Sequence, residues 1–502
     1  MLNKRANIKF PKFPAILLSM TLIVIPVVSF GQAPVRYGTD IKKEAPVRYG
    51  LEIEKRPGVR YGVDIGVEDI RQVAPGEIVP EEVPSDFEFD TRNYIKLSGY
   101  YDELKDDSVV NPNNILKRED HGFVGEINTL LTISYLEDYQ FKADVGYQYN
   151  PGPGEQEDTD THFITNEFLF DFFVAELAYL KVGKKRETWG VGWTFTPVDD
   201  VMDWPKNPVD PSDSREGKYL AMLEVPVGAA SFSFVYFPDV EFDLESEAGQ
   251  SGIPRKMDFG DEASLGVRAL FLLWDTDIAF TYNRTDRIPD LEKDYYGLTL
   301  NRYWGDLGAY VEVSGHKGSD LEFVNQNALG QYYFPTGDEL ETVKKADDDI
   351  YVNFAVGVNY TFPNDLKIGV DYFRNSEGYD DDEFDEFYNF LKNDSDLYLT
   401  TSDDTIKNKI LKANQILGDR IRRNYLSLTF DRPFTFNDFN PHLGAVINLD
   451  DGSFLLNGAI EYAVRDDTSI TLDIKWYVGD DDTEYGLKPD DYKAYLKVVY
   501  YF

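Results

Sequence analysis

The sequence predicts an all-β protein, a transmembrane antiparallel up-and-down β-barrel of about 18 strands, with about 16 or 20 following from a miscount by one hairpin. Three observations carry this expectation. From Tyr94 onward, apolar and polar residues alternate with period two in segments of ten residues or more. The connections between those segments alternate between short and long. The final residues, Tyr492 to Phe502, keep the alternation up to a terminal aromatic.

Lys4, Arg5, Lys9 and Lys12, followed by an apolar run from Ala15 to Val28 and small Ser29 and Gly31, read as a signal peptide over 1–31. The run is shorter than the roughly 20 residues that a spanning helix needs. Residues 32–90 read as a periplasmic tail. Within it VRYGTDI, VRYGLEI and VRYGVDI recur from Val35, Val47 and Val59, ahead of a Pro/Glu-rich stretch near Val79 to Pro84. The repeat is either a duplicated flexible linker or a multivalent dock for a periplasmic partner. The barrel is expected over 91–502.

Strands are expected to start near Tyr94, Gly122, Tyr139, Phe163, Ala175, Lys218, Gly228, Ala263, Thr276, Tyr295, Leu307, Ile350, Asp365, Asn424, Pro441, Gly452, Thr468 and Tyr492. Strands in soluble sandwiches average about five or six residues. These segments suit the 9–11 of a tilted membrane strand. Tight connections fall at Glu137-Asp138, Pro226-Val227, Pro363-Asn364 and Asp466-Asp467. Long ones cover Asp102–His121, Glu187–Gly217, Pro238–Glu262, Gly315–Asp349 and Arg374–Arg423. Two connections break the pattern: Asp431–Asn440 is long where a turn is expected, and Asp450-Asp451 is short where a loop is expected.

Composition narrows the class further. A mean hydropathy of −0.41 excludes a helical membrane protein, whereas a barrel dilutes its apolar residues with polar ones facing the lumen. The 34 Tyr and 34 Phe suit interfacial aromatic girdles. A net charge of −40 argues against a nucleic-acid partner. With no Cys, four His and no HExxH spacing, nothing points to an enzyme or a zinc site. No cofactor is expected, apart from a divalent cation in acidic outer loops such as YDDDEFDEF (Tyr379 to Phe387) and GDDDTEYG (Gly479 to Gly486). Solvated acids beside lipopolysaccharide are the alternative there. Phe384, Phe387, Tyr388 and Leu391, then Ile406, Ile410, Ala413, Leu417 and Ile421, predict two short helices packed on each other or over the pore mouth.

The inward parity places Lys142, Asp144, Glu167, Asp171, Lys181, Lys185, Arg268, Glu312, Lys367, Asp371, Asp473, Lys475, Lys493 and Lys497 on the lumen wall. Both signs occur in similar number, so no single-sign ladder is predicted. Glu187–Gly217, by strand order the third outer loop, carries rigid aromatics (Trp189, Trp193, Trp204) and charges (Asp199, Asp200, Asp203, Arg215), and predicts a constriction loop. Its carboxylates would then face Lys181 and Lys185 across the narrowest point. A well-packed outer loop is the alternative.

The Trp-Gly motif after a Gly-Lys strand end, within GKKRETWGVGWTFTPVDDV from Gly183 to Val201, resembles the alginate-export and related porin-like families. That resemblance implies passage of a solute or a polysaccharide, and the position resembles the eyelet of general porins. Tyr492, Leu496, Val498, Tyr500 and Phe502 resemble the C-terminal signal read by the barrel-insertion machinery. The expected setting is the outer membrane of a Gram-negative-type bacterium, among its lipid and lipopolysaccharide. The expected function is a channel for small hydrophilic solutes or ions. A polysaccharide export component and an adhesive barrel with ligand-binding loops are the alternatives.

Overall fold

The structure, a computed structural model, describes residues 87–502 apart from 137, 151–159, 176, 203–216, 239, 244–255, 260–262, 289–290, 325–341, 345–348, 419 and 433–438. The signal peptide and the VRYG repeats lie outside the described residues, as do Asp203, Trp204 and Arg215.

Eighteen strands form one sheet. In chain order they are β1 (Phe87–Leu104), β2 (His121–Tyr135), β3 (Tyr139–Asn150), β4 (Asp160–Val174), β5 (Ala178–Lys185), β6 (Lys218–Val227), β7 (Ala230–Phe237), β8 (Ser264–Leu273) and β9 (Thr276–Ile288). The second half comprises β10 (Leu291–Trp304), β11 (Leu307–Lys317), β12 (Ile350–Thr361), β13 (Lys367–Arg374), β14 (Asn424–Asp431), β15 (Phe439–Asn448), β16 (Phe454–Arg465), β17 (Thr468–Val478) and β18 (Asp490–Tyr501). Each strand pairs antiparallel with its sequence neighbours, and β1 closes on β18 with Tyr94 opposite Tyr501 and Tyr101 opposite Ala494. Closure leaves no sheet edge, which is the requirement for strands surrounded by hydrocarbon.

The first strand starts at Phe87, ahead of the expected Tyr94 and of the expected domain boundary at 91, because Phe87 to Asn93 pair with Tyr135 back to Thr129. The two connections that broke the length pattern leave the topology intact, since Asn424–Asp431 pairs antiparallel with Phe439–Asn448, and that strand with Phe454–Arg465. Length, and not side, is what varies. The turn after β6 is Gly228-Ala229, two residues beyond the expected Pro226-Val227, and Gly228 supplies the corner at φ 61°. Between β8 and β9 both Trp274 (φ 51°) and Asp275 (φ 58°) are left-handed, the twist that a two-residue hairpin needs.

Alternation sorts the two faces. Outward residues such as Ile127, Phe170, Phe234, Phe280 and Ile460 leave large apolar side chains exposed. Exposed aromatics flank them at both ends, with Tyr149, Phe163 and Tyr296 toward the loops and Tyr139, Trp304 and Phe502 toward the turns. Inward residues are polar or pack against folded-in loops.

Two helices stand at the loop end, α2 (Asp381–Thr401) and α3 (Asp404–Ile416), with the single-turn α1 (Pro197–Val201) preceding them in the chain. The sequence predicts two short helices, but α2 runs to 21 residues. Its start is set by a capping box between Asp380 and Glu383. Phe387, Phe390 and Leu391 of α2 meet Ile410 and Ala413 of α3 in a buried apolar cluster that also takes in Val110, Ile115 and Leu487 from two other loops. No helix among the described residues is long and apolar enough to cross a membrane.

Candidate functional site

The third outer loop leaves β5, and its described part, 186–202, folds back onto the inward face of the sheet. Its backbone amides would be orphaned against a wall of strands whose own groups are already paired. Inward carboxyl groups take them up. Glu312 of β11 accepts the N–H groups of Val191, of Gly192 at 2.5 Å and of Val198 at 3.1 Å. Asp371 of β13 accepts that of Thr194 at 3.2 Å, and the Thr194 hydroxyl sits 2.8 Å from that of Ser427. Within the connection, Asp199 accepts from Trp189 and Gly190 at 2.8 and 2.7 Å and pins the Trp-Gly segment to α1.

Apolar packing completes the attachment. Trp189 is buried with Val198, Met202 and Leu220. Phe195 stacks on Phe373 with centroids 5.0 Å apart. The wall is carved to receive these groups. A Cβ on Gly266 would lie 2.9 Å from Met202, and one on Gly297 would lie 3.2 Å from Val198. A second connection, 479–489, also turns inward: Tyr485 is buried with Phe195, Tyr425 and Leu455.

The other expected residues of the loop are distributed as follows. Trp193 lies against Gly369, its ring 3.2 Å from where a Cβ would be. Asp200 approaches Arg420 at 3.8 Å. The expected field between the loop's acids and Lys181 and Lys185 is not what the geometry shows. Lys181 reaches Glu224 at 3.2 Å, Lys185 contacts Glu187, and Asp199 is taken up by backbone N–H groups. A short carboxylate satisfies the nearest amides before it can face a cation across a lumen.

All fourteen expected wall residues fall on the inward face by register. Lys142 is exposed there, opposite Thr132 and Leu169. Asp144 accepts from Asn128 and Asn166 at 2.9 and 3.2 Å, and Glu167 accepts from the Arg186 amide at 3.1 Å. Asp171 sits opposite Lys181, and Lys367 opposite Asp431. Arg268 reaches the Trp189 carbonyl at 3.4 Å. Lys475 is directly opposite Lys493, Lys493 reaches Asp490 at 3.2 Å, and Lys497 reaches Asp473 at 3.7 Å. Sequence reasoning found Glu312 and Asp371 as wall residues but not as anchors. The available signal was the small residues opposite them in the neighbouring strands, Ala355 opposite Glu312 and Gly357 opposite Asp371.

The acidic loops carry protein partners. Asp380, Asp381 and Glu383 meet Arg422 and Arg423. Glu484 is buried and accepts from Tyr425, Asn448 and the Ile421 amide. Burial pushes its carboxyl up to about 8, against those donors. Among the described residues no group of three His, Cys, Asp or Glu is gathered to hold a metal.

No family model matches this sequence, and no curated protein does. Among solved structures, similar chains include OccAB1 of Acinetobacter baumannii (TM-score 0.48, 9% identity, 82% of this chain and 96% of that one). OccK5 (OpdH) of Pseudomonas aeruginosa gives 0.44 at 10% identity, over 82% and 98%. OmpF of Salmonella typhi, in complex with daunomycin, gives 0.39 at 10%, over 82% and 97%. The fold of this chain follows from its own strand pairing.

Proposed function

We propose that the protein is an outer-membrane channel for small hydrophilic solutes, narrowed by the inward-folded segment 186–202. The observation that carries this reading is a closed barrel with an exposed apolar exterior, a polar inner face and one connection fastened to that face by Glu312 and Asp371. An apolar belt between aromatic rings suits a bilayer and not water. The wall from β1 to β4 keeps charged groups such as Lys96 and Lys142 in contact with water. The lumen space filled by Trp189, Phe195 and Tyr485 disfavours threading of a polymer chain. Reconstituted into liposomes, the protein should admit a pentose faster than a tetrasaccharide in a swelling assay. Swelling no faster than in protein-free liposomes would overturn the reading.

The same reading covers assembly. The Phe502 amide donates to the Asn93 carbonyl at 2.9 Å, and its exposed ring stacks on Tyr500. F502E should therefore lower the amount of folded, heat-modifiable barrel in the outer membrane by several-fold while leaving export across the inner membrane intact. A normal heat-modifiable band from this variant would rule out a role for Phe502 in recognition by the insertion machinery.

A further inference from the structure

A cavity of about 280 Å³ lies at the loop end of the barrel, directly beside α1. Asp200 and Val201 of the inward-folded connection form one side of it. Ser314 and His316 of β11 with Asn353 of β12 form the wall, and Asp320, Glu377 and Arg420 reach it from the connections that follow β11 and β13. The volume is just below the roughly 300–1,000 Å³ of pockets for drug-sized ligands, so the cavity suits one small ring.

Its charges are matched within the protein. Lys293 Nζ donates to Asp320 at 2.9 Å, His316 Nε2 lies 3.1 Å from Glu377 Oε1, and Arg420 faces Asp200 at 3.8 Å. Glu377 also accepts the Ser319 hydroxyl at 3.0 Å and the Asp320 amide at 2.5 Å. A charged ligand would have to break one of these pairs and leave its partner uncompensated. The neutral polar groups on offer are those of Ser314 and Asn353. The Ser314 hydroxyl, in a residue only 5% exposed, and the Asn353 side chain, whose Oδ1 accepts from the Ser376 amide at 2.8 Å, stand opposite each other on β11 and β12 and line the cavity. Val201, Leu321 and the Phe373 ring add apolar surface beside them.

We propose that this cavity is a capture site for a neutral polyhydroxylated solute the size of one sugar ring, held by Ser314 and Asn353 beside the constriction. Hydroxyl groups can both donate to and accept from these side chains, and the C–H face of a sugar ring suits the apolar rim. The inference rests on the channel reading and names a solute class for it.

The test compares three rings of one size, glucose, glucosamine and glucuronate, by calorimetry on the full-length protein in detergent. Glucose should release binding heat, and the charged rings should bind more weakly. S314A and N353A should each weaken glucose binding by about three- to tenfold, with heat-modifiable mobility confirming that both fold. Tighter binding of either charged ring, no heat from any ring, or glucose binding unchanged in both folded variants would overturn the proposal. Liposome swelling separates the two readings. Glucose entry without binding heat removes the capture site and leaves the channel, whereas heat without entry leaves the site and removes the channel.

Discussion

E312A should raise single-channel conductance and open-channel noise, because it removes the acceptor for three backbone N–H groups of the inward-folded connection at once. Glu312 is fully buried, so those amides lose their partner in a site where water does not readily replace it. An orphaned buried donor costs about 1–3 kcal/mol, so the attachment should weaken by several kcal/mol. The contacts of Trp189 and Phe195 would still hold the ends of the segment, and its centre should swing away from β11. E312Q keeps one acceptor oxygen and should fall between wild type and E312A. D371A removes a single contact, to Thr194, and should raise conductance less than E312A. If E312A conducts like wild type, the connection is held by apolar packing alone and the anchoring role fails.

Alkaline pH should loosen the second inward connection. Burial raises the Glu484 carboxyl from 4.5 to about 8, with nearby Asp451 adding to the shift, while Lys488 and the donors from Ile421 and Tyr425 oppose it. Between those values the folded protein keeps a proton that the unfolded chain has lost. The contribution to stability is therefore fully present below about pH 4.5 and declines as pH rises through about 8. Hydrogen exchange of the amides of 480–487 should accelerate between pH 6 and pH 9 beyond the intrinsic rate, together with a fall in thermal midpoint. E484Q cannot ionise and should flatten both trends. Equal pH dependence in wild type and E484Q would assign the effect to another group.

The strands were legible because a membrane barrel obliges every segment to alternate, and segments such as Tyr139 to Tyr149 and Ile470 to Val478 do so without interruption. The start of β1 was harder to read. Glu88, Asp90 and Arg92 alternate with Phe87, Phe89 and Thr91, yet a charge-rich stretch next to a Pro/Glu-rich one looks like spacer until Tyr135 is seen opposite Phe87. For the segment 186–202, rigid aromatics and Gly residues suggested either an inward fold or a well-packed outer loop. Its means of attachment was not visible, since Glu312 lies 120 residues from Gly192 and only register brings them together. For the same reason GDDDTEYG read as solvated acids or as a divalent-cation loop. Glu484 and Tyr485 are buried only because Tyr425, Asn448 and Leu455 meet at that point of the wall.

Planar-bilayer recording of a variant lacking Val198 to Ser212, beside one lacking an equal length of α2, tests the central claim most directly. If the inward-folded connection sets the narrowest point, the first deletion should raise single-channel conductance and relax ion selectivity. The second, which trims a helix of the apolar cluster at the loop end, should change conductance less. Equal behaviour of the two deletions, or an unaltered conductance after the first, would contradict it and leave 186–202 as packing without control over passage.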